Sequence, residues 1–538
     1  MGFPYQCRNG FDAMELRIDM KRVLPFALLV ACSAPAFGQT VDSEGAKQLS
    51  DNLAHYFGNK LFDIGFVKVS VDGGAYKLAF DFKPLVELAG KQDGMKLDFT
   101  PYALSTKPRG DGSWDVSGNL APEGSVELKG PQGPQSLKMS VKGGRFIGVY
   151  DPELAAFASG SSSLDGMSMT SQDAMQRTEV STGAGSATVS AVKGANGGVD
   201  FSMAQTIADF NETVVADNPT NGQKLLLTFK SPTLSVDAKG KGLRTKPLLD
   251  LLAFAVSNED EAKVKANQAE LKSRLLSALP LWERIDGAYS FKDFMIGSPV
   301  GNFSAANASV VFGTDGIARN GTINYGIKAT GFSMPQNLVP AWSVALLPTD
   351  IDLNFGGANI DLDTMARKAI EAFDLNKSPA LSPAFGDELK AGFLANGPKV
   401  VIGRSTVRNG SVEVALEGDM TFPAGDKPDA NLTVDVAGYD KIVASLQEAA
   451  KTDPQASQAF TGALAIKGFA KTLPDGRVEW VINAKHDGSV TVNGAMLKGP
   501  DPVVEDNSDS AAPEEGAAPG ENMNPGEGNS GAGVEPQP

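Results

Sequence analysis

Cysteine is all but missing from this chain. Cys7 and Cys32 are its only two, and both fall at or before a stretch that reads as an export signal. The body of the protein is therefore expected to fold without disulfides, although the compartment it is sent to would allow them. Histidine is as scarce, with only His55 and His486. Too few nitrogen and sulfur ligands remain for a zinc or haem centre of ordinary type, and no metal or cofactor is expected. A serine hydrolase would lack its base, because neither histidine has a G-x-S-x-G near it. Gly183-Ala184-Gly185-Ser186 is the nearest imitation and sits in low-complexity sequence. His55 lies off the apolar stripe of its segment and reads as solvated.

Positive charge is short as well. Lys and Arg number 48 against 64 acids, a formal balance of -16. That argues against nucleic acid, whose binding needs a cationic face to displace phosphate counterions. It fits a soluble protein that does not adhere to anionic membrane surfaces. Long apolar runs are lacking too: the best after the signal, Leu248 to Val256, is short and interrupted by Asp250, so no transmembrane helix is expected in the mature chain. Four Trp and eight Tyr stand beside 28 Phe, which argues against the aromatic girdle of an outer-membrane barrel and suits a dry interior.

Other chemistry is missing by motif. No G-x-x-x-x-G-K-S/T exists, and Gly240-Lys241-Gly242 lacks the third glycine of a dinucleotide loop. Asp350-Ile351-Asp352-Leu353-Asn354 opens like a calcium loop, but Phe355 and Asp361 stand where Gly and Glu are needed. Its alternation makes those acids the wet side of a strand. A carboxylate-based glycan hydrolase stays open, since its two acids meet only in space. No residue is singled out as catalytic, cofactor-binding or metal-ligating.

What is present begins with an address. Met20-Lys21-Arg22 opens a short basic region, Val23 to Ala31 is apolar over a signal-peptide length, and Ala34, Ala36 and Gly38 follow. This predicts export to the periplasm, with the true start at Met20 and residues 1–19 a mis-called start. Cleavage falls at Ala34-Pro35-Ala36 or Ala36-Phe37-Gly38. The alternative is a lipobox, Leu29-Val30-Ala31-Cys32, which would lipidate Cys32 and give a lipoprotein peripheral to the envelope.

The body has room for two cores, as single domains stop growing near about 250–300 residues. Residues 46–57 predict an amphipathic helix with Leu49, Leu53, Tyr56 and Phe57 on one face. The period then turns to two: Val67, Val69 and Val71, a turn at Asp72-Gly73-Gly74, then Tyr76, Leu78, Phe80 and Phe82. Met95 to Phe99, Trp114 with Val116, Val126 with Leu128, and Leu137 to Val141 repeat it. The Ser-, Gly-, Thr- and Met-rich stretch 158–198 reads as thin edge strands, an interlobe connection or a mobile flap. Its Met167, Met169 and Met175 read as gap-filling or as a soft binding surface.

A strand over 225–238 leads into a helix at 247–256 and a second from near Asn258, with Glu261 in a capping box and Pro280 as its stop. Strands resume at Ser309 to Phe312, Ile323 to Ile327, Ile351 to Phe355 before a helix over 362–373, and 400–422 around Asn409-Gly410. Leu432, Val434 and Val436 pass through Gly438 into a helix over 439–450. Further strands are expected at Gly462 to Ala470 and Val478 to Lys485, joined by Pro474-Asp475-Gly476. The three strand-to-helix units, 234–256, 351–373 and 432–450, make a diverged duplication. No basic residue follows Lys498, and the acidic tail 499–538 is expected to be disordered. The fold class is mainly β (α+β): long curved antiparallel sheets in two lobes, 40–240 and 286–498, around a helical hairpin at 241–285, with a few amphipathic helices packed on them.

The export signal, the opening helix, the units at Leu432 to Ala450 and Ile351 to Phe373, and the closing strands Val478-Glu479-Trp480 to Val490-Thr491-Val492-Asn493-Gly494 resemble a family. They are similar to uncharacterised alphaproteobacterial exported proteins of domain-of-unknown-function (DUF) family 2125, and more distantly to YdgA-like and AsmA-like envelope proteins. The resemblance spans most of residues 40–498 and rests on pattern and turn style. It implies a long curved β-structure in the periplasm and, from the AsmA-like members, a part in lipid handling or envelope homeostasis. The chain departs from AsmA-like proteins in lacking a membrane-anchoring helix, which argues against an inner-membrane bridging role. The resemblance supplies no catalytic residues.

Antiparallel strands with one apolar face need a cover, and three or four helices cover only part of so much sheet. The expectation is a non-enzymatic envelope protein that shelters a lipid or another hydrophobic ligand in a β-groove. The alternative is a structural or adhesive surface protein with two packed sheets.

Overall fold

The structure, a computed structural model, describes residues 41–89, 95–130, 133–217, 222–423 and 427–502. The expected start at Met20, the export signal, Cys7, Cys32 and the acidic tail from 503 onward lie outside the described residues.

The protein is mainly β, with its strands in one antiparallel sheet and helices packed on it. Helices α1 (Ser43–Phe57) and α2 (Asn59–Asp63) lead into strands β1 (Val67–Asp72) and β2 (Ala75–Phe80). Next come α3 (Lys83–Ala89), β3 (Met95–Phe99), β4 (Tyr102–Pro108), β5 (Trp114–Asn119) and β6 (Glu123–Gly130). The strands then lengthen: β7 (Gly133–Asp151), β8 (Ala156–Gln172), β9 (Gln176–Thr182), β10 (Gly185–Lys193), β11 (Val199–Asp217) and β12 (Lys224–Leu243). Helices α4 (Thr245–Ser257), α5 (Glu261–Ala266) and α6 (Gln268–Ala278) precede β13 (Arg284–Ser298), β14 (Gly301–Asp315), β15 (Gly321–Thr330) and β16 (Asp350–Ile360). After α7 (Leu362–Ala372) and α8 (Pro383–Ala395) come β17 (Lys399–Asn409), β18 (Val412–Thr421) and β19 (Asp429–Ala437). The last elements are α9 (Tyr439–Ala449), α10 (Pro454–Lys467), β20 (Lys471–Thr472), β21 (Val478–Ala484), β22 (Val490–Val492) and β23 (Ala495–Lys498).

Pairing follows the chain closely. From β10 to β19 each strand hydrogen-bonds the next, both across tight turns such as β13–β14 and β17–β18 and across the long links β12–β13, β15–β16 and β16–β17. On the N-terminal side the order is β1, β2, β4, β5, β7, β8, β10, with β6 and then β3 branching from the first half of β7. At the other side β19 pairs β21, then β22 and β23 follow. Strands β12 and β13 are direct neighbours, although the α4–α6 helices separate them in sequence. The long strands bend along one line. Register shifts at Gly143 and Gly144 in β7 face Gly166 of β8, while Asp209 of β11 and Asp293 of β13 take left-handed φ values of 51° and 48°.

Three expectations are corrected. Gly462 to Ala470 is not a strand, because most of it closes α10, a helix begun by Asp453, whose carboxylate accepts from the Gln455 and Ala456 N–H groups. The second helix of the hairpin starts at Glu261 rather than near Asn258, capped by Asp260 through the Lys263 N–H, and is interrupted at Asn267. The Ser-rich stretch is neither edge nor flap: β8 is paired on both sides, to β7 and to β9 and β10.

Two apolar clusters anchor the helices. Leu49 and Leu53 of α1 pack on Tyr76, Leu78, Leu104, Trp114, Val116 and Tyr150, all nearly inaccessible. At the far end Tyr439 of α9 packs with Val436, Val478, Trp480 and Val492. The Tyr439 hydroxyl donates to the Ala463 carbonyl at 2.7 Å and the Trp480 indole to that of Ile466 at 2.9 Å, fastening α10. Since neighbouring strands run in opposite directions, the links β12 to β13 and β16 to β17 emerge at the same strand ends. There α1, α4, α6, α7 and α8 touch in succession and form a helical rim. The β8–β9, β13–β14 and β15–β16 links lie at the opposite ends.

Candidate functional site

Residues directly opposite one another in antiparallel strands share a face. Following partners across the ladders gives one unbroken apolar row: Leu234, Phe291, Ala308, Ala329, Ile351, Val407, Val414, Val436 and Val478, spanning β12 to β21. A second row on the same face carries Val236, Tyr289, Val310, Ile327 and Leu353. A third carries Phe312, Tyr325, Phe355 and Ile402, then passes through Gly418 to Leu432, Ile482 and Val492. None of these positions is charged. Two-residue alternation sets each strand, and the register aligns the strands into one surface.

The opposite face is polar in matching rows. Ser163, Ser186, Thr206, Ser235, Ser290, Ser309, Lys328, Asp352 and Thr406 lie side by side across nine strands. The calcium-like acids fall here: Asp352 takes the Lys328 ammonium at 3.0 Å and the Asn354 amide at 3.0 Å. Among the described residues no three His, Cys, Asp or Glu side chains gather as metal ligands. His55 is an exposed ring set edge-on to Tyr56, and His486 lies 3.1 Å from Asp429 through Nδ1. Further along this face Asp435 accepts from Arg404 at 2.9 Å and from Arg477, and Glu413 accepts from Arg477 at 2.8 Å and pairs with Arg408. Burial pushes both carboxyls up, but the arginine hydrogen bonds prevail and hold each below its ordinary value.

The apolar face is covered at both ends and open between. Helix α1 closes the N-terminal end and α9 with α10 the C-terminal end. Over β13 to β18, Tyr289, Ile323, Tyr325, Ile327, Phe355, Val400, Val407 and Val414 keep 36 to 46 % of their surface accessible. Large side chains in such a row are costly to leave in water unless something lies on them. At about 4.8 Å per strand the open stretch is roughly 24 Å across, longer than the approximately 15 Å of one leaflet's hydrocarbon. Stacked rings line it: Tyr289 with Phe312 at 6.3 Å and Tyr325 with Phe355 at 5.6 Å between centroids.

Hollows lie elsewhere among the described residues. One of about 850 Å³ is bordered by Lys77, Ser105, Ser117, Asn119 and Arg145, and one of about 690 Å³ by Asp151, Glu153, Lys193 and Arg244. Sequence reading found the β14 to β18 parts of the open stretch but missed Tyr289 and Phe291 in β13. Their alternation, Ile285, Gly287, Tyr289, Phe291, is masked by a glycine. Among the described residues no helix is long and apolar enough to cross a membrane. Compared with protein-family models, with curated proteins and with solved structures, the chain matches none.

Proposed function

We propose that the protein is a non-enzymatic, periplasmic envelope protein that shelters a lipid, or another elongated hydrophobic ligand, on the open apolar stretch between β13 and β18. The observation that carries this reading is the exposed, charge-free surface of Tyr289, Ile323, Tyr325, Ile327, Phe355 and Val400. Its length suits an acyl chain, and its lack of charged anchors suits a ligand recognised by its tail. A part in envelope lipid handling is also what the resemblance to AsmA-like proteins implies.

Native mass spectrometry of the protein taken gently from its own compartment, followed by solvent extraction, tests this. Bound acyl species are expected, and Ile327→Asp is expected to lower their amount several-fold. A clean ligand-free mass for the unmodified protein would overturn the reading.

A further inference from the structure

Arg244, at the start of α4, is half-buried and incompletely satisfied. Its Nε is closed off from solvent and has no acceptor, and its Nη1 reaches only the Asn196 carbonyl at 3.5 Å. Among the described residues it is the only charged side chain with such a buried, unpartnered atom. A guanidinium withdrawn from water ordinarily has a carboxylate beside it, and Arg244 forms no ion pair among the described residues.

The side chain borders the hollow of about 690 Å³, and four more charged groups border it too. Lys246 follows on α4, Lys193 ends β10, and Asp151 and Glu153 belong to the turn from β7 into β8. One hydrogen bond brings the bases of α4 to the acids of that turn: the Thr245 hydroxyl donates to the Leu154 carbonyl at 2.5 Å, 91 residues away in sequence. Each side is fixed in place. The Arg244 N–H donates to the Leu281 carbonyl at 2.8 Å, and the Glu153 N–H to the Asp151 carboxylate at 2.8 Å. Yet none of these five charges is ion-paired with another or with any described residue, so all of them remain available to a ligand.

We infer that this hollow binds a small zwitterion, a free amino acid or a short peptide, its carboxylate on Arg244, Lys193 and Lys246 and its ammonium on Asp151 and Glu153. A simple anion would lie against two acids and a simple cation against three bases. An uncharged ligand would leave the guanidinium uncompensated. The paired donors of a guanidinium match a carboxylate in shape, and the volume falls within the roughly 300–1,000 Å³ of small-molecule sites. The inference goes beyond lipid shelter and does not rest on it, since these residues lie outside the β13 to β18 stretch.

The test is isothermal titration calorimetry of the whole purified protein with L-alanyl-L-alanine, its N-acetylated form and its C-terminal amide. The free dipeptide is expected to bind, and each blocked form about tenfold more weakly or worse, a loss of about 1.4 kcal/mol or more. These comparisons need no substitution, so they hold whether or not a variant folds. Arg244→Gln is expected to weaken the free dipeptide about tenfold and to leave the amide, which has no carboxylate to lose, unchanged. Glu153→Gln, at an exposed position, is expected to do the same for the free and N-acetylated forms. The inference is overturned if the free dipeptide does not bind, or if the blocked forms bind as tightly. It is also overturned if Arg244→Gln, folded by circular dichroism, weakens the free and amidated dipeptides equally.

Discussion

The rings of Tyr325 and Phe355 stack across the β15–β16 ladder, centroids 5.6 Å apart and planes 29° apart, with nearly half of each residue open to solvent. A stacked pair in a core would contribute mainly to stability. At a half-open position much of its surface is free to contact something else.

Replacing Phe355 by Ala is therefore expected to cost only about 1 kcal/mol, the size of one lost aromatic pair with partial burial. The same change is expected to weaken binding of a hydrophobic fluorescent probe several-fold. Urea denaturation and probe titration measure the two separately. A stability loss near that of a core truncation, with probe binding intact, would mean that the pair is structural.

The N-terminal cluster predicts the opposite balance. Leu53 of α1 is 1 % exposed among Tyr76, Trp114 and Tyr150, so Leu53→Ala removes fully packed methyls and leaves a cavity. The expected loss is about 2–5 kcal/mol. Leu464→Ala, at a 47 % exposed site on α10, is expected to stay within about 0.5 kcal/mol. Equal effects of the two in urea melts would contradict the packing described.

The contrast between these leucines also shows where sequence was legible. Two-residue alternation with Gly-containing turns located β1, β2, β15 to β19 and β21, because each carries an apolar side and a wet side. It failed at 462–470, where Leu464 and Ile466 mimic a strand although both lie on a helix. The better signal was upstream: Asp453 followed by Pro454 is a helix start, and the Asp453 carboxylate does cap α10. The stretch 158–198 misled for another reason. Its serines lack bulk, yet they lie mid-sheet because partners on both sides supply the hydrogen bonds. The open stretch was legible only as an unmet need for cover. Which residues form it depends on register across many strands, and a one-residue slip would reverse every face.

Acid should weaken the C-terminal end of the sheet. Asp435 and Glu413 are held below their ordinary values of 3.8 and 4.5, burial opposing and the hydrogen bonds from Arg404 and Arg477 prevailing. A carboxyl with a depressed folded value contributes stability in full above its unfolded value and loses it as pH falls through the folded one. Urea midpoints are thus expected to hold steady above about pH 5 and to decline progressively below pH 4.5. Asp435→Asn keeps the shape but leaves Arg404 and Arg477 with weaker acceptors. It is expected to cost about 1–3 kcal/mol at neutral pH, below the value for a fully buried pair because Arg404 is half open. It should also flatten the acid decline. An unaltered pH profile in this variant would remove the network from the account.

The turn from β19 into α9 depends on one glycine. Gly438 caps the helix at φ 71° and ψ 24°, a left-handed conformation that disfavours any side chain by about 1–2 kcal/mol. Space forbids one as well, since a Cβ there would sit 2.8 Å from the Ser411 carbonyl oxygen, which belongs to the backbone and has little freedom to retreat. Gly410 separates the two effects: its φ is +57°, yet a Cβ would meet nothing within 4 Å. Gly410→Ala is expected to show the conformational cost alone, about 1 kcal/mol, and Gly438→Ala roughly twice that or more. Hydrogen exchange should localise the second effect to α9 and to the cluster around Tyr439 and Trp480, because the strand must shift from Ser411 before the helix can seat. Equal losses for the two variants would mean that Ser411 yields freely, and that the strand-to-helix join is set by φ alone.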